Sequence, residues 1–160
     1  MRVADDATFR TFVDTHGPTL LQAARLLTGD HHRGEDLVQT ALTKLYLKWD
    51  TVTDPLAYAR RILVTSHIDT TRRRWWGERP SDVLPDESQP DAAFAAYEER
   101  DEIRRLLREL NARERAAIVL RYYCDLSEEE TATTLGVAVG TVKSTCARAL
   151  ARLRVESGVT

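Results

Sequence analysis

Apolar residues recur at intervals of three and four along most of this chain, and no segment shows the period-two alternation of a strand. Phe9, Phe12 and Val13 predict a first helix, and after Gly17-Pro18 the run Leu20, Leu21, Ala24 and Leu27 predicts a second, stopped by Gly29. From Glu35 to Trp49, Leu37, Val38, Ala41, Leu42, Leu45, Tyr46 and Trp49 fall on one stripe of an amphipathic helix. Its other face carries Asp36, Gln39, Thr40 and Thr43. Asp54-Pro55 is a start signal, an N-cap followed by proline at the first helical position. The helix it opens runs to about Arg74, with Leu56, Ala59, Ile62, Leu63 and Ser66 expected inside. Later, Ile103, Leu106, Leu107 and Leu110 mark another helix, and Arg113 to Tyr123 a further one around Ile118, Val119 and Leu120.

Ser127-Glu128-Glu129-Glu130 then reads as a capping box, in which the hydroxyl accepts from the amide three residues on and Glu130 reaches back. The helix it starts ends at Gly136, a natural left-handed cap. A second helix begins at Thr141 and carries Lys143, Ser144, Arg148, Arg152 and Arg154. Ala132, Leu135, Val137, Val142, Cys146, Leu150 and Leu153 would pack the pair together, leaving the cationic face of the second helix free for a major groove. A generic helix pair is the bland alternative. The Ser cap, the Gly turn and an acid-free basic helix together favour DNA binding over it.

Charge changes the picture only when resolved locally. The total of -2 at pH 7 runs against a nucleic-acid binder, but partners feel local fields. From Pro80 to Glu99 the chain holds Asp82, Asp86, Glu87, Asp91, Glu98 and Glu99 with no Lys or Arg, and Pro80, Pro85 and Pro90 recur every five residues. That segment reads as a flexible acidic linker. From Gly140 to Arg154 there are four cations and no acid, and Arg60, Arg61, Arg72, Arg73, Arg74 and Arg79 form an earlier basic block. The fold class that follows is all-α: two small helical domains, residues 5–78 and 98–156, joined by the acidic, Pro-containing linker 79–97.

Cys124 and Cys146 have no second pair, so neither a disulfide framework nor a four-ligand zinc site is indicated, and buried free thiols are expected. His31 and His32 lack a matching Cys or His pair, and His16 and His67 are isolated; all four are read as surface histidines, with no metal and no cofactor. Arg152 and Arg154 are read as solvated cations. No apolar run follows Met1 and none approaches the roughly 20 residues of a membrane span, so a cytoplasmic address without membrane insertion is expected. There is no phosphate-cradling Gly-rich loop and no nucleophile with an identifiable base, which argues against an enzyme and leaves no catalytic residue to name.

The stretch from Leu110 to Tyr122, then Leu126-Ser-Glu-Glu-Glu-Thr-Ala, Leu135-Gly and Gly140-Thr-Val-Lys-Ser, resembles the promoter-reading region four of bacterial sigma factors. LuxR-type regulators have a similar helix-turn-helix, so the first half arbitrates. Leu27-Thr-Gly-Asp, Glu35-Asp-Leu-Val-Gln-Thr-Ala-Leu, Trp49, Tyr58-Ala-Arg-Arg-Ile-Leu-Val, Ile68-Asp and Arg72-Arg73-Arg74 resemble sigma region two. The likeness runs from about Phe9 to Arg154 and is to extracytoplasmic-function (group IV) sigma factors, SigE-like actinobacterial branch. A sigma mimic that never touches DNA would lack the cations kept at Lys143, Arg148 and Arg72 to Arg74.

The resemblance implies that Asp36, Gln39, Thr40 and Thr43 dock on the β′ clamp helices of RNA polymerase core, with the β flap as a second polymerase contact. It implies minus-ten recognition near Lys48 to Thr53, with Lys48, Asp50, Arg60, Arg61, Arg72, Arg73 and Arg74 at the DNA. Trp75 and Trp76 either stack on unpaired bases or anchor a helix end. At the minus-thirty-five element it implies Thr141, Lys143, Ser144 and Arg148. Thr65 stands where the family commonly has Asn, and Thr145 where many relatives have Arg. The implied partners are polymerase core, promoter DNA and an anti-sigma factor.

Overall fold

A computed structural model describes residues 3–76 and 98–157, which form seven α-helices and, among the described residues, no strand. The predicted linker over 79–97 lies outside the described residues, as do the side chains of Arg73, Arg74, Trp75 and Trp76.

The first correction concerns the N-terminus. Two helices were expected on either side of Gly17-Pro18, but a single helix, α1, spans Val3–Thr28 with Pro18 inside it. Proline within a helix forfeits a hydrogen bond and crowds the preceding turn, at a cost of about 3 kcal/mol. Both Pro18 and Asp14, whose carbonyl loses its donor, are exposed, so water hydrates the orphan. Phe12, Leu20, Ala23, Ala24 and Leu27 meanwhile form one buried stripe through the break, packed on the next helix. Burial of those side chains, at about 25 cal/mol per Å² of apolar surface, outweighs the local penalty.

Helix α2, His31–Leu47, begins earlier than the apolar stripe suggests because Asp30 caps it, its Oδ1 accepting from the Arg33 amide at 2.9 Å. Leu37, Val38, Ala41 and Leu45 are buried as expected. Gly34 is the close-approach point of α1 and α2: a Cβ there would lie 3.1 Å from the Arg25 amide nitrogen. Trp49 falls beyond the helix rather than on it. Its indole still joins the same core, edge-on to Phe9 and Phe12 with centroids 5.2 and 5.6 Å away.

Helix α3, Pro55–Trp76, starts at the expected signal, with the Ala57 amide donating to Asp54 Oδ1 at 3.1 Å. Ala59 and Leu63 are buried, whereas Leu56, Ile62 and Ser66 are only half-buried, and Val64, outside the expected stripe, is buried too. The reason is that α3 packs against α1 and α2 and also against the second half of the chain, so it has more than one inner face.

In the second half, α4 spans Glu98–Arg108 and α5 Ala112–Ile118, the latter opened by an Asn111–Glu114 capping box. A π-helical turn, Val119–Tyr123, extends α5. The wider turn rotates the backbone so that Tyr122 and Tyr123 emerge at the surface while Val119 and Leu120 stay buried. Helix α6, Glu128–Leu135, carries the predicted capping box, and α7 spans Val139–Ser157. Gly136 ends α6 at φ +72°, and a Cβ there would meet nothing within 4 Å. Gly136→Ala is therefore expected to cost only left-handed backbone strain, about 1 kcal/mol, read as a lowered denaturation midpoint with unchanged slope. A loss of several kcal/mol would mean that the turn is fixed by packing instead.

The two halves do not stand apart. One contiguous apolar cluster runs from Leu20, Leu45 and Leu63 in the first to Leu120, Val142 and Ala149 in the second.

Candidate nucleic-acid interface

Helix α7 is divided cleanly between an inner and an outer side. Val142, Cys146 and Ala149 are buried against the rest of the second half, and Thr145 is buried with them. Thr141, Lys143, Ser144, Ala147, Arg148 and Ala151 are exposed on the opposite side. Four predicted minus-thirty-five residues, Thr141, Lys143, Ser144 and Arg148, thus share one surface, with small alanines between the cations that let another surface come close. Lys143 Nζ lies 3.9 Å from Glu128 Oε1, and Arg148 donates to the Thr145 hydroxyl at 3.3 Å. An exposed pair at that distance is worth under about 1 kcal/mol, so a phosphate can displace Glu128. Thr145 faces inward, and an arginine there would have to turn its head out of the core.

Arg152, expected to be a solvated cation, is exposed, and its head also lies 3.4 Å from the buried carboxylate of Glu114. A carboxylate so buried needs its charge matched, which the outward-facing pattern of α7 could not reveal. Arg154 likewise has an interaction of its own.

In the first half, Asp36, Gln39, Thr40 and Thr43 are all exposed along α2. Leu47, one turn beyond Thr43, continues that line and is 76% exposed, a large apolar side chain that the sequence reading left out. The exposed position of Leu47 at the end of an otherwise polar stripe was its only available signal. The Lys48–Thr53 loop is pinned by Trp49, whose indole donates to Thr8 at 3.0 Å, and Lys48 and Asp50 are exposed on it. Along α3, Arg61 and Arg72 are exposed, Arg72 lying 3.5 Å from Asp69. Arg60 differs. It is half-buried and lines a cleft with Asp54 and Ala57 on one side and Leu126, Glu129, Glu130, Thr133 and Thr134 on the other.

Burial pushes the thiols of Cys124 and Cys146 up, so both stay protonated near neutral pH, and both are free cysteines. Among the described residues no group of three or more His, Cys, Asp or Glu could hold a metal. The surface reading of the histidines holds for His31 and His32, which are exposed, but fails for His67. His67 is half-buried, and its Nε2 is sealed from solvent without a hydrogen-bond partner. Burial, then Arg115, then Arg33 lower its pKa to about 4.

Comparison with known proteins decides the family. Residues 12–77 match the model for sigma-70 region 2, and residues 100–153 match that for sigma-70 region 4. An RNA polymerase sigma-E factor of Streptomyces avermitilis is 41% identical over 155 residues, covering 92% of this chain and 84% of that protein. The chain belongs to the sigma-70 family. Within it, the resemblance to extracytoplasmic-function members holds: the ECF RNA polymerase sigma factor SigL of Mycobacterium tuberculosis is 36% identical over 168 residues, covering 98% of this chain and 94% of that one. Solved structures agree with the architecture. The sigma factor RpoE of Bartonella quintana, in complex with the anti-sigma factor NepR, superposes with TM-score 0.76 at 28% identity, covering 92% of this chain and 94% of that chain. CnrH, in complex with the cytosolic domain of CnrY, gives 0.71 at 26% identity, covering 96% of this chain and 89% of that one. As a sigma factor the chain serves promoter recognition and transcription initiation by RNA polymerase. Among the described residues no helix is long and apolar enough to cross a membrane.

Sequence reasoning missed one further residue at the heart of this sigma factor. Arg115 of α5 spends its guanidinium on three main-chain carbonyls: Leu107 at 2.9 Å, Leu110 at 2.7 Å and, in the other half of the chain, Leu27 at 2.8 Å. Nothing local to residue 115 distinguishes it from its neighbours Arg113 and Arg121, and the signal lies wholly in tertiary placement.

Proposed function

We propose that this sigma factor divides its work between the two halves, residues 5–78 taking polymerase core and the minus-ten element and residues 98–156 the minus-thirty-five element. Asp36, Gln39, Thr40 and Thr43 meet the β′ clamp helices, with Leu47 as an apolar anchor at the end of the same face. A polar face ending in one large apolar side chain suits a docking helix, since apolar anchors tend to dominate interface energy. The Lys48–Thr53 loop presents Lys48 and Asp50 to the minus-ten element, and Arg60, Arg61, Arg72, Arg73 and Arg74 supply attraction to the separated strands.

The observation that carries the proposal is the outer side of α7, where Lys143 and Arg148 project from a helix whose inner side is fully packed. The helix has the length and relief to enter a major groove, with Thr141 at its N-terminal end near phosphates and Ser144 beside the bases. The protein acts as an initiation factor rather than a catalyst, in the cytoplasm where polymerase is. The RpoE and CnrH structures both hold a second protein, which supports regulation of this chain by an anti-sigma factor.

Run-off transcription with core enzyme on a selected promoter tests the reading. Lys143→Ala and Arg148→Ala are each expected to weaken promoter binding by about 1 to 3 kcal/mol if they read bases, roughly tenfold to a hundredfold, while core pull-down stays unchanged. Unaltered promoter affinity in both variants would remove α7 as the reading helix.

A further inference from the structure

The loop between α2 and α3 is held from one side by the first turns of α1. Trp49 Nε1 donates to the Thr8 hydroxyl at 3.0 Å, and the Tyr46 hydroxyl donates to Asp6 Oδ1 at 2.8 Å. Phe9 touches both of these aromatic rings edge-on, with centroids 5.0 Å from Tyr46 and 5.2 Å from Trp49, and Phe12 meets Trp49 from the next turn at 5.6 Å. Helical period explains the set. Asp6 and Phe9 form one row on α1 and Thr8 and Phe12 the neighbouring one, so Tyr46 meets the first row and Trp49 lies across both. An indole N–H taken partly out of water needs an acceptor, and an exposed threonine 41 residues earlier supplies it.

Trp49 and Val52 turn inward onto the core, while Lys48, Asp50, Thr51 and Thr53 are exposed. The amides of Thr51 and Val52 donate to the Lys48 carbonyl at 2.9 and 3.1 Å, and the Thr51 hydroxyl donates to it at 3.1 Å. Those bonds shape the turn without attaching it to another element. Among the described residues the loop's remaining hydrogen bonds run to the last turn of α2, from the Lys48 amide to Leu45 and from the Trp49 amide to Tyr46. The seat on α1 is therefore what fixes the loop in space through hydrogen bonds. Lys48 and Asp50 flank Trp49 in the chain, so any shift of the indole moves both exposed side chains together.

We propose that Asp6 and Thr8 are positioning residues for minus-ten recognition: acting through Tyr46 and Trp49, they hold the loop that presents Lys48 and Asp50 in one conformation before DNA arrives. The inference rests on the assignment of that loop to the minus-ten element. A loop ordered beforehand loses little freedom on binding, and it cannot relax to accommodate a wrong base, so selectivity gains along with affinity. Asp6 is an anion half-buried against Tyr46, which suits a support for the loop and not a contact with phosphates.

Two pairs of substitutions in the full chain test this. Thr8→Val with Asp6→Ala removes both acceptors while keeping the branched shape at residue 8 and leaving Phe9 and Phe12 in place. Thr8→Ser with Asp6→Asn keeps an acceptor oxygen at each position. One hydrogen bond corresponds to about two- to tenfold in an equilibrium. In the first pair, amide exchange at Thr51 and Val52 is expected to quicken by about twofold or more. Discrimination between the selected minus-ten element and single-base variants of it, read as a ratio of run-off rates, is expected to fall about two- to tenfold. Core pull-down, helical circular dichroism and salt-dependent binding to duplex DNA through α7 should stay at the parent's values. The second pair should restore both exchange and discrimination.

Unchanged exchange at Thr51 and Val52 in the first pair would overturn the inference, as would unchanged discrimination, and as would equal losses in the two pairs. If the first pair loses helicity, Thr8→Val alone, at an exposed position, decides by the same readouts. Lys48→Ala and Asp50→Ala separate the two levels of the reading. If neither alters discrimination, the assignment of the loop to the minus-ten element fails and the inference with it. If discrimination responds to them but not to the first pair, the assignment stands and α1 does not position the loop.

Discussion

Replacing Asp36 and Gln39 together by arginine is expected to abolish polymerase core pull-down and run-off transcription while leaving the protein folded. Both side chains are exposed on α2, opposite the buried Leu37, Val38, Ala41 and Leu45, so the change removes no core packing. Arginine has better helix propensity than aspartate, which protects the helix itself. The local cost is a new cation beside Arg33 and Lys44, which line the same cleft as Asp36, and exposed like charges on a helix cost only a few tenths of a kcal/mol. At the proposed docking face the effect is far larger. If α2 docks through Asp36 on a partner helix of opposite, positive charge, two cations there cost several kcal/mol in a desolvated interface, and a loss of about 3 kcal/mol already means more than a hundredfold in affinity. The outer side of α7 is untouched, so salt-dependent binding of the variant to duplex DNA should match the parent's. A variant that still pulls down core and transcribes normally would show that α2 is not the docking helix.

What could be read from the sequence was what local chemistry fixes. Asp54-Pro55, Ser127 with Glu130, and Gly136 each satisfy or terminate backbone hydrogen bonds within four residues of themselves, and each does in the structure what its type predicts. The cationic outer side of α7 was legible for the same reason, since helical period alone separates Lys143 and Arg148 from Val142, Cys146 and Ala149.

The larger misreadings involve a second element arriving from elsewhere in the chain. Pro18 is a breaker by local rules, yet the unbroken apolar stripe against α2 keeps α1 whole. The partner of Arg152 was missed because nothing in α7 indicates that Glu114 of α5 is buried 3.4 Å away. Arg115 looked like any surface arginine until the end of α1 was laid beside it. A pattern of period 3.6 holds no information about how two helical units meet.

His67 was missed in the same way and yields the largest expected effect on stability. It sits on α3 beneath Arg115 of α5 and Arg33 of α2, in a cleft that Asp36 and Lys44 of α2 and Asp69 of α3 also line. Two cations and burial favour the neutral ring, and the carboxylates nearby do not reverse this, so the pKa falls from 6.5 to about 4. A depressed histidine pKa means that the unfolded chain binds the proton more readily. Stability is therefore at its full value above pH 6.5 and declines as the pH falls toward 4, below which the loss levels off. The two pKa values set the size, about 2 kcal/mol between pH 7 and 4.5 and about 3 kcal/mol at the limit. His67→Gln keeps a polar side chain of similar reach without a titrating group, and its pH dependence should lack this component. Denaturant titrations of both proteins at pH 7 and 4.5 measure the difference. If the parent and His67→Gln lose the same stability over that interval, the ring does not titrate from a buried site between the two halves.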